Sequence, residues 1–152
     1  SAEGQRAANL VADGLKQIYP LPNNVRAEPT IAIGEVRRVR APSVFLELGY
    51  HDNVDDAAWI KNNLDSVARS IALSLTEYFG LPFLTPQSPR SAVVDVSWGY
   101  LNIRDRPDRS APVVARAYDG ARLTVLNQWQ GWYLVRFGEV MGWASSDFVT
   151  LI

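Results

Sequence analysis

Glu47 is the side chain in this sequence best placed to move a proton. It lies in Pro42-Ser-Val-Phe-Leu-Glu-Leu-Gly-Tyr-His-Asp-Asn53, near the end of an apolar run from Ser43 to Leu48. A run that is apolar on both faces reads as a central, buried strand. A carboxylate inside such a run is costly unless it is paired, neutralised or aimed into a site. Gly49 lets the chain turn directly afterwards, and Asp52 or Asn53 can open a helix. Open α/β sheets place their chemistry at this kind of position, where a strand ends and a turn begins. A carboxylate there can take a proton and return it. A plainer reading stands beside this one: an acid at a strand's frayed end, in water or paired with Arg37, Arg38 or Arg40.

The remaining residue types narrow the options. The chain has one histidine, His51, and no cysteine. A catalytic zinc takes about three protein ligands, usually including histidine. No pair of histidines at ligand spacing exists, and His51 reads as a surface loop residue, so no metal site is expected in this chain alone. Without cysteine there is no disulfide framework. A net charge of −1 gives no pointer to nucleic acid. No apolar stretch is long enough to span a bilayer, and the opening residues are polar and helical in pattern, unlike a signal peptide.

These residues must be positioned by a small set of elements. Ala7, Leu10, Val11, Leu15 and Ile18 form a helical stripe, with Gly14 as its weak point. Tyr19-Pro-Leu-Pro stops that helix. Residues 25–41 are mixed, with a short strand or a turn of helix around Ile31–Val39. The Glu47 strand follows, then a helix capped by Asp52 or Asn53 with Asp55 and Asp56 in its first turn. Leu64, Val67, Ala68, Ile71, Ala72 and Leu75 mark one face of a helix that ends at Gly80. The proline-rich stretch from Leu81 to Arg90 is a semi-rigid linker. Beyond it come short strand-like segments, Val93–Val96, Leu101–Arg104, Val113–Tyr118, Leu123–Leu126, Trp132–Phe137 and Met141–Ala144. Turn-rich connections separate them, several with glycine, which predicts a small β-barrel.

Two resemblances follow from these residues. The stretch Pro42 to Asn53 resembles the C-terminal signature of the zinc-dependent N-acetylmuramoyl-L-alanine amidases, roughly Pro-x-hydrophobic-hydrophobic-x-Glu-x-Gly-aromatic-x-x-Asn. The likeness covers about residues 3–80. It implies that Glu47 is the catalytic acid/base beside the metal. It also implies that the chain is the C-terminal portion of such an enzyme, since the family's zinc ligands lie upstream of this region. Zn2+ would then belong to the complete enzyme. The second half resembles a bacterial SH3-like (SH3b) domain. The matching pieces are Leu101-Asn-Ile-Arg104 with Pro107, Asp119-Gly120 with Leu123, Val125 and Leu126, Gly131-Trp-Tyr133, Gly142-Trp-Ala144 and Ser145 to Val149.

The expected architecture is therefore an α/β fragment (helix, central strand and helix of an amidase-type sheet over 1–84). A linker at 85–90 and a small all-β SH3-like barrel at 91–152 complete it. The resemblances imply a peptidoglycan hydrolase of bacterial or phage origin, an autolysin or endolysin acting outside the cell or in the wall. It would cleave the amide between N-acetylmuramic acid and L-alanine, with the barrel as wall anchor. The alternative is a non-catalytic wall-binding module on a degenerate amidase scaffold. The implied partners are peptidoglycan and the N-terminal half of the amidase domain, including as a separate chain. Among the barrel's aromatics, Trp132 and Trp143 read as core. Trp98, Tyr100 and Trp129 are the candidate wall contacts, Trp98 and Trp129 because they stand beside glycines or in turns. Arg37, Arg38 and Arg40 read as a solvated face, or as a contact for anionic wall polymer.

Overall fold

A computed structural model describes residues 1–152, which divide into two compact units, Ser1–Phe83 and Leu84–Ile152. The first unit is helical: α1 (Ala2–Lys16), a short α2 (Gly34–Arg37), α3 (Val54–Asn62) and α4 (Leu64–Phe79), with a 3-10 turn at Pro22–Asn24. Helix α1 begins at Ser1, whose side chain accepts from Gly4 N. The expected stripe forms its packed face, with Ala7, Val11 and Leu15 buried. Val11, Leu15 and Val67 make a small core, joined by Ile18, Val25, Leu48, Trp59 and Ile71.

Helices α1 and α4 run antiparallel. Near the start of α1, Arg6 donates to the carbonyl of Tyr78 at the end of α4, and its guanidinium stacks 4.2 Å from that ring's centre. Their crossing is lined by small residues. A Cβ on Gly14 would lie 2.8 Å from the hydroxyls of both Ser70 and Ser74. Gly14 is thus the point of close approach between the helices rather than a weak point. This also corrects the expected face of α4. Val67, Ser70 and Ser74 are its buried residues, while Leu64, Ala68 and Leu75 are exposed. A hydrophobic pattern alone points α4 at its leucines; the contact with Gly14 selects the serines.

Two further expectations change. The single helix after Asn53 is two helices. Asn53 does cap the first, its side chain accepting from Asp55 N and Asp56 N. Asn63 then interrupts, donating through Nδ2 to the carbonyl of Trp59 at 2.8 Å. Ser43–Leu48 is not a strand. Residues 1–83 contain no strand at all, so this segment has nothing to pair with, and a strand exists only as part of a ladder. Val44, Phe45 and Leu46 are exposed rather than buried, Phe45 by 51%. No amidase-type sheet is formed.

The second unit is all-β: β1 (Arg90–Val94), β2 (Tyr100–Arg104), β3 (Val113–Tyr118), β4 (Arg122–Trp129), β5 (Trp132–Phe137), β6 (Val140–Ser145) and β7 (Val149–Leu151). Neighbours are antiparallel in the order β3-β2-β6-β5-β4-β1-β7. All seven strands send side chains into one core, including Ala92, Ile103, Ala117, Val125, Val135, Ala144 and Val149. A flat sheet could not bring both ends of that order together, so the sheet wraps round its own apolar face. In β1, β2 and β4 these buried residues alternate with less buried or exposed ones, whereas β6 buries Gly142, Trp143 and Ala144 in a row. Part of the expected linker is fixed to the barrel. Buried Asn127, at a bulge in β4, donates to the carbonyl of Thr85 at 2.7 Å.

Candidate functional sites

Glu47 sits on the unpaired segment with its side chain in solvent. The turn that follows is firmly built. Gly49 has φ of +154°, and a Cβ there would meet Asp56 at 3.2 Å. Asp56 explains the close approach: its carboxylate accepts from Tyr50 N at 3.1 Å and from the Tyr19 hydroxyl at 2.9 Å. Tyr19 in turn packs edge-on against Trp59, ring centres 4.8 Å apart. The hydrogen bond to Asp56 raises the Tyr19 hydroxyl above its ordinary pKa, with burial and the carboxylate's charge acting in the same direction. Asp56 reads from sequence as a helix-dipole acid; its role in pinning the turn after Glu47 is visible only in three dimensions.

The donor set here does not fit a catalytic zinc. His51 stands exposed in the turn, the chain has no other histidine and no cysteine, and no three His, Cys, Asp or Glu side chains gather where a metal could sit. The arginines Arg37, Arg38 and Arg40 are exposed, and none forms a salt bridge with Glu47.

In the barrel, the β2–β3 hairpin presents aromatics to solvent. Tyr100 stands opposite Tyr118 in register, with ring centres 6.1 Å apart and nearly perpendicular. The Arg116 guanidinium lies 4.7 Å from the centre of the Tyr100 ring. Trp98 precedes them and is 89% exposed, and Tyr118 is 67% exposed. The loop carrying Trp98 is tied at its base: Val96 N donates to Asp119 Oδ1 at 3.0 Å, and Gly120 N to the carbonyl of Val94 at 2.8 Å. Trp129 is not part of this patch. It is half-buried at the end of β4, in register with Trp132 across the β4–β5 turn. Trp143 is buried and Trp132 half-buried. Tyr118 and Arg116 complete the patch, and sequence reasoning did not single them out; their alternation on β3, facing β2, was the available signal.

Comparison with known families identifies most of the second unit. The family model described as the bacterial SH3 domain matches residues 99–150. Those residues form a bacterial SH3 domain. The match runs from Gly99, beside the aromatic patch, into β7, and leaves β1 outside although β1 pairs with both β4 and β7. No curated protein matches the chain, and the helical unit has neither family-model nor homologue support. No helix is long and apolar enough to cross a membrane. A bacterial SH3 domain points to association with the cell wall.

Proposed function

We propose that the SH3 domain docks this protein on bacterial peptidoglycan through Trp98, Tyr100 and Tyr118, with Arg116 behind them. The observation that carries this is the exposed aromatic cluster on a domain of a family that typically binds peptidoglycan. Large aromatic surface left in water is unusual unless a partner covers it. Rigid rings offer contact area to a sugar or peptide at little entropic cost, and the loop and hairpin that carry them are tied in place. The test is co-sedimentation of the full chain with purified peptidoglycan. Trp98→Ala and Tyr118→Ala should each weaken binding by roughly 2- to 10-fold, the worth of one aromatic contact. Unchanged binding in both would move the docking surface elsewhere.

A second reading concerns the helical unit. Val44, Phe45 and Leu46 are exposed on a segment outside any helix or strand, and Leu64, Leu73, Leu75 and Phe79 are exposed on α4. That much apolar surface is what a larger domain would cover. In this reading the unit is the C-terminal part of an amidase domain, and Ser43–Leu48 becomes a central strand once neighbouring strands are supplied. Glu47 would then take a proton from the attacking water and hand it to the leaving amine. Pinning by Asp56 at Gly49–Tyr50 would fix where that carboxylate ends. The residues present hold no zinc, so the reaction is proposed for the completed domain and not for this chain alone.

A further inference from the structure

The outer face of β1, β4 and β5 carries a second feature, away from the aromatic hairpin in the strand order. Ser91 stands opposite Thr124, and Thr124 opposite Arg136, so the three form one row across three strands. Arg122 lies two residues before Thr124 and so shares its face, opposite Val93. Burial agrees with that alternation: Ala92, Leu123, Val125 and Val135 are inside, while Arg122 and Arg136 are exposed. Ser91, Arg122, Thr124 and Arg136 line a cleft of about 330 Å³ with Gly138 and Ile152 at its edge. No acidic side chain lines it. Neither guanidinium takes part in a salt bridge.

Two cations facing one cleft from adjacent strands repel each other, and like charges so placed weaken a sheet. An anion between them reverses the sign. The guanidinium fork matches a carboxylate in shape and donors, and the Ser91 and Thr124 hydroxyls add two further donors. Ile152 gives the cleft an aliphatic wall. We infer that Arg122 and Arg136 form a carboxylate-binding subsite that takes a free carboxylate of a peptide. The choice of a wall stem peptide rests on the docking reading above. A phosphate polymer fits less well. Reading a polyanion takes a track of cations along its length, whereas the charged residues of the cleft are two arginines and the chain is near neutral overall.

The test is titration of the full chain with a synthetic stem tetrapeptide bearing free carboxylates, followed by NMR. The same peptide with its carboxylates amidated and a soluble poly(glycerol phosphate) are titrated in parallel. The free-acid peptide should shift the amides of Arg122, Thr124 and Arg136. Arg122→Gln and Arg136→Gln should each weaken it about tenfold or more, as expected for loss of charge-assisted hydrogen bonds. Both positions are exposed and glutamine keeps the aliphatic stem, so unchanged melting temperatures will show that the variants are folded. Equal binding of the amidated peptide, wild-type affinity in both variants, or a response to the phosphate polymer alone would overturn the subsite. Co-sedimentation with whole peptidoglycan separates the two proposals. If the wild type and both variants sediment alike while the peptide gives no shifts, the subsite fails and the docking reading stands. If the wild type does not sediment, the docking reading fails, and the peptide titration still decides the subsite.

Discussion

Gly142→Ala probes the junction that holds the aromatic hairpin to the rest of the SH3 domain. Strands β2 and β6 meet in register at Arg104 and Trp143. A Cβ on Gly142 would lie 2.7 Å from the Arg104 carbonyl oxygen, 2.7 Å from Ile103 Cγ2 and 3.0 Å from Val114 Cγ2. Ordinary contacts fall near 3.5–4.0 Å, so three neighbours must each retreat by about 0.5–1 Å. They have little room. Ile103 is fully buried, and the Arg104 oxygen belongs to the backbone of β2 itself. Overpacking of this kind costs about 1–3 kcal/mol. Alanine's reduced freedom in the unfolded chain returns about 0.4–1 kcal/mol. A net loss of about 1–2 kcal/mol follows, or a melting temperature lower by about 4–15 °C in a domain of this size. Tryptophan fluorescence on the full chain is a suitable assay, because Trp98, Trp129, Trp132 and Trp143 report on the barrel and only Trp59 on the helices. Peptidoglycan binding should weaken in step, since the patch rides on β2 and β3. A variant that melts at or above the wild-type temperature would refute the idea that this junction is closed to a side chain.

Asn127→Ala should leave the Thr85 carbonyl without its partner and free the linker from the barrel; cleavage by a broad protease between Leu81 and Arg90 should accelerate. Tyr19 gives an alkaline signature. Its folded-state pKa is raised, so its contribution is fully present below the unfolded value of about 10 and is lost as pH rises through the folded value. Helical stability measured by circular dichroism should therefore fall at high pH, and Tyr19→Phe should flatten that dependence; an identical pH profile in the variant would remove the Tyr19–Asp56 bond as its source. If the proposed amidase reading of the helical unit holds, Glu47→Gln in the completed domain should keep the fold and lower amide hydrolysis by about 10²–10⁴-fold. Wild-type turnover per folded molecule would take Glu47 out of the mechanism.

The barrel was legible because its signals are local. Short strand-forming segments such as Leu101–Arg104 and Trp132–Phe137, with glycine in several of the turns, are enough to place strands even where the pairing partner lies far along the chain, as for Arg104 and Trp143. The SH3-like pieces fell in order for the same reason. The helical unit shows where local signals stop. Leu64 and Leu75 mark a plausible apolar face of α4, yet the partner helix reaches it through Gly14, and only the crossing reveals that Ser70 and Ser74 face inward. Ser43–Leu48 has the composition of a strand, but pairing is a property of two segments, and no second one exists in residues 1–83. The patch was half legible. Trp98 and Tyr100 stood out as aromatics near a glycine; Tyr118 and Arg116 needed the β2–β3 register. Trp129 was misplaced because the β4 strand runs on to include it, which puts it in a ladder with Trp132.

An exposed apolar segment without a ladder also bears on how the protein behaves at high concentration. Short stretches of strand-forming residues stack on copies of themselves when little charge opposes it. Ser43–Leu48 meets that description except at its margins. Pro42 cannot donate a ladder hydrogen bond, and Glu47 would place one carboxylate above another at every rung of a parallel stack. The Glu47 charge should therefore oppose self-association of this segment. Substituting Glu47 with glutamine removes a negative charge from every rung and should lower the concentration at which the protein begins to precipitate.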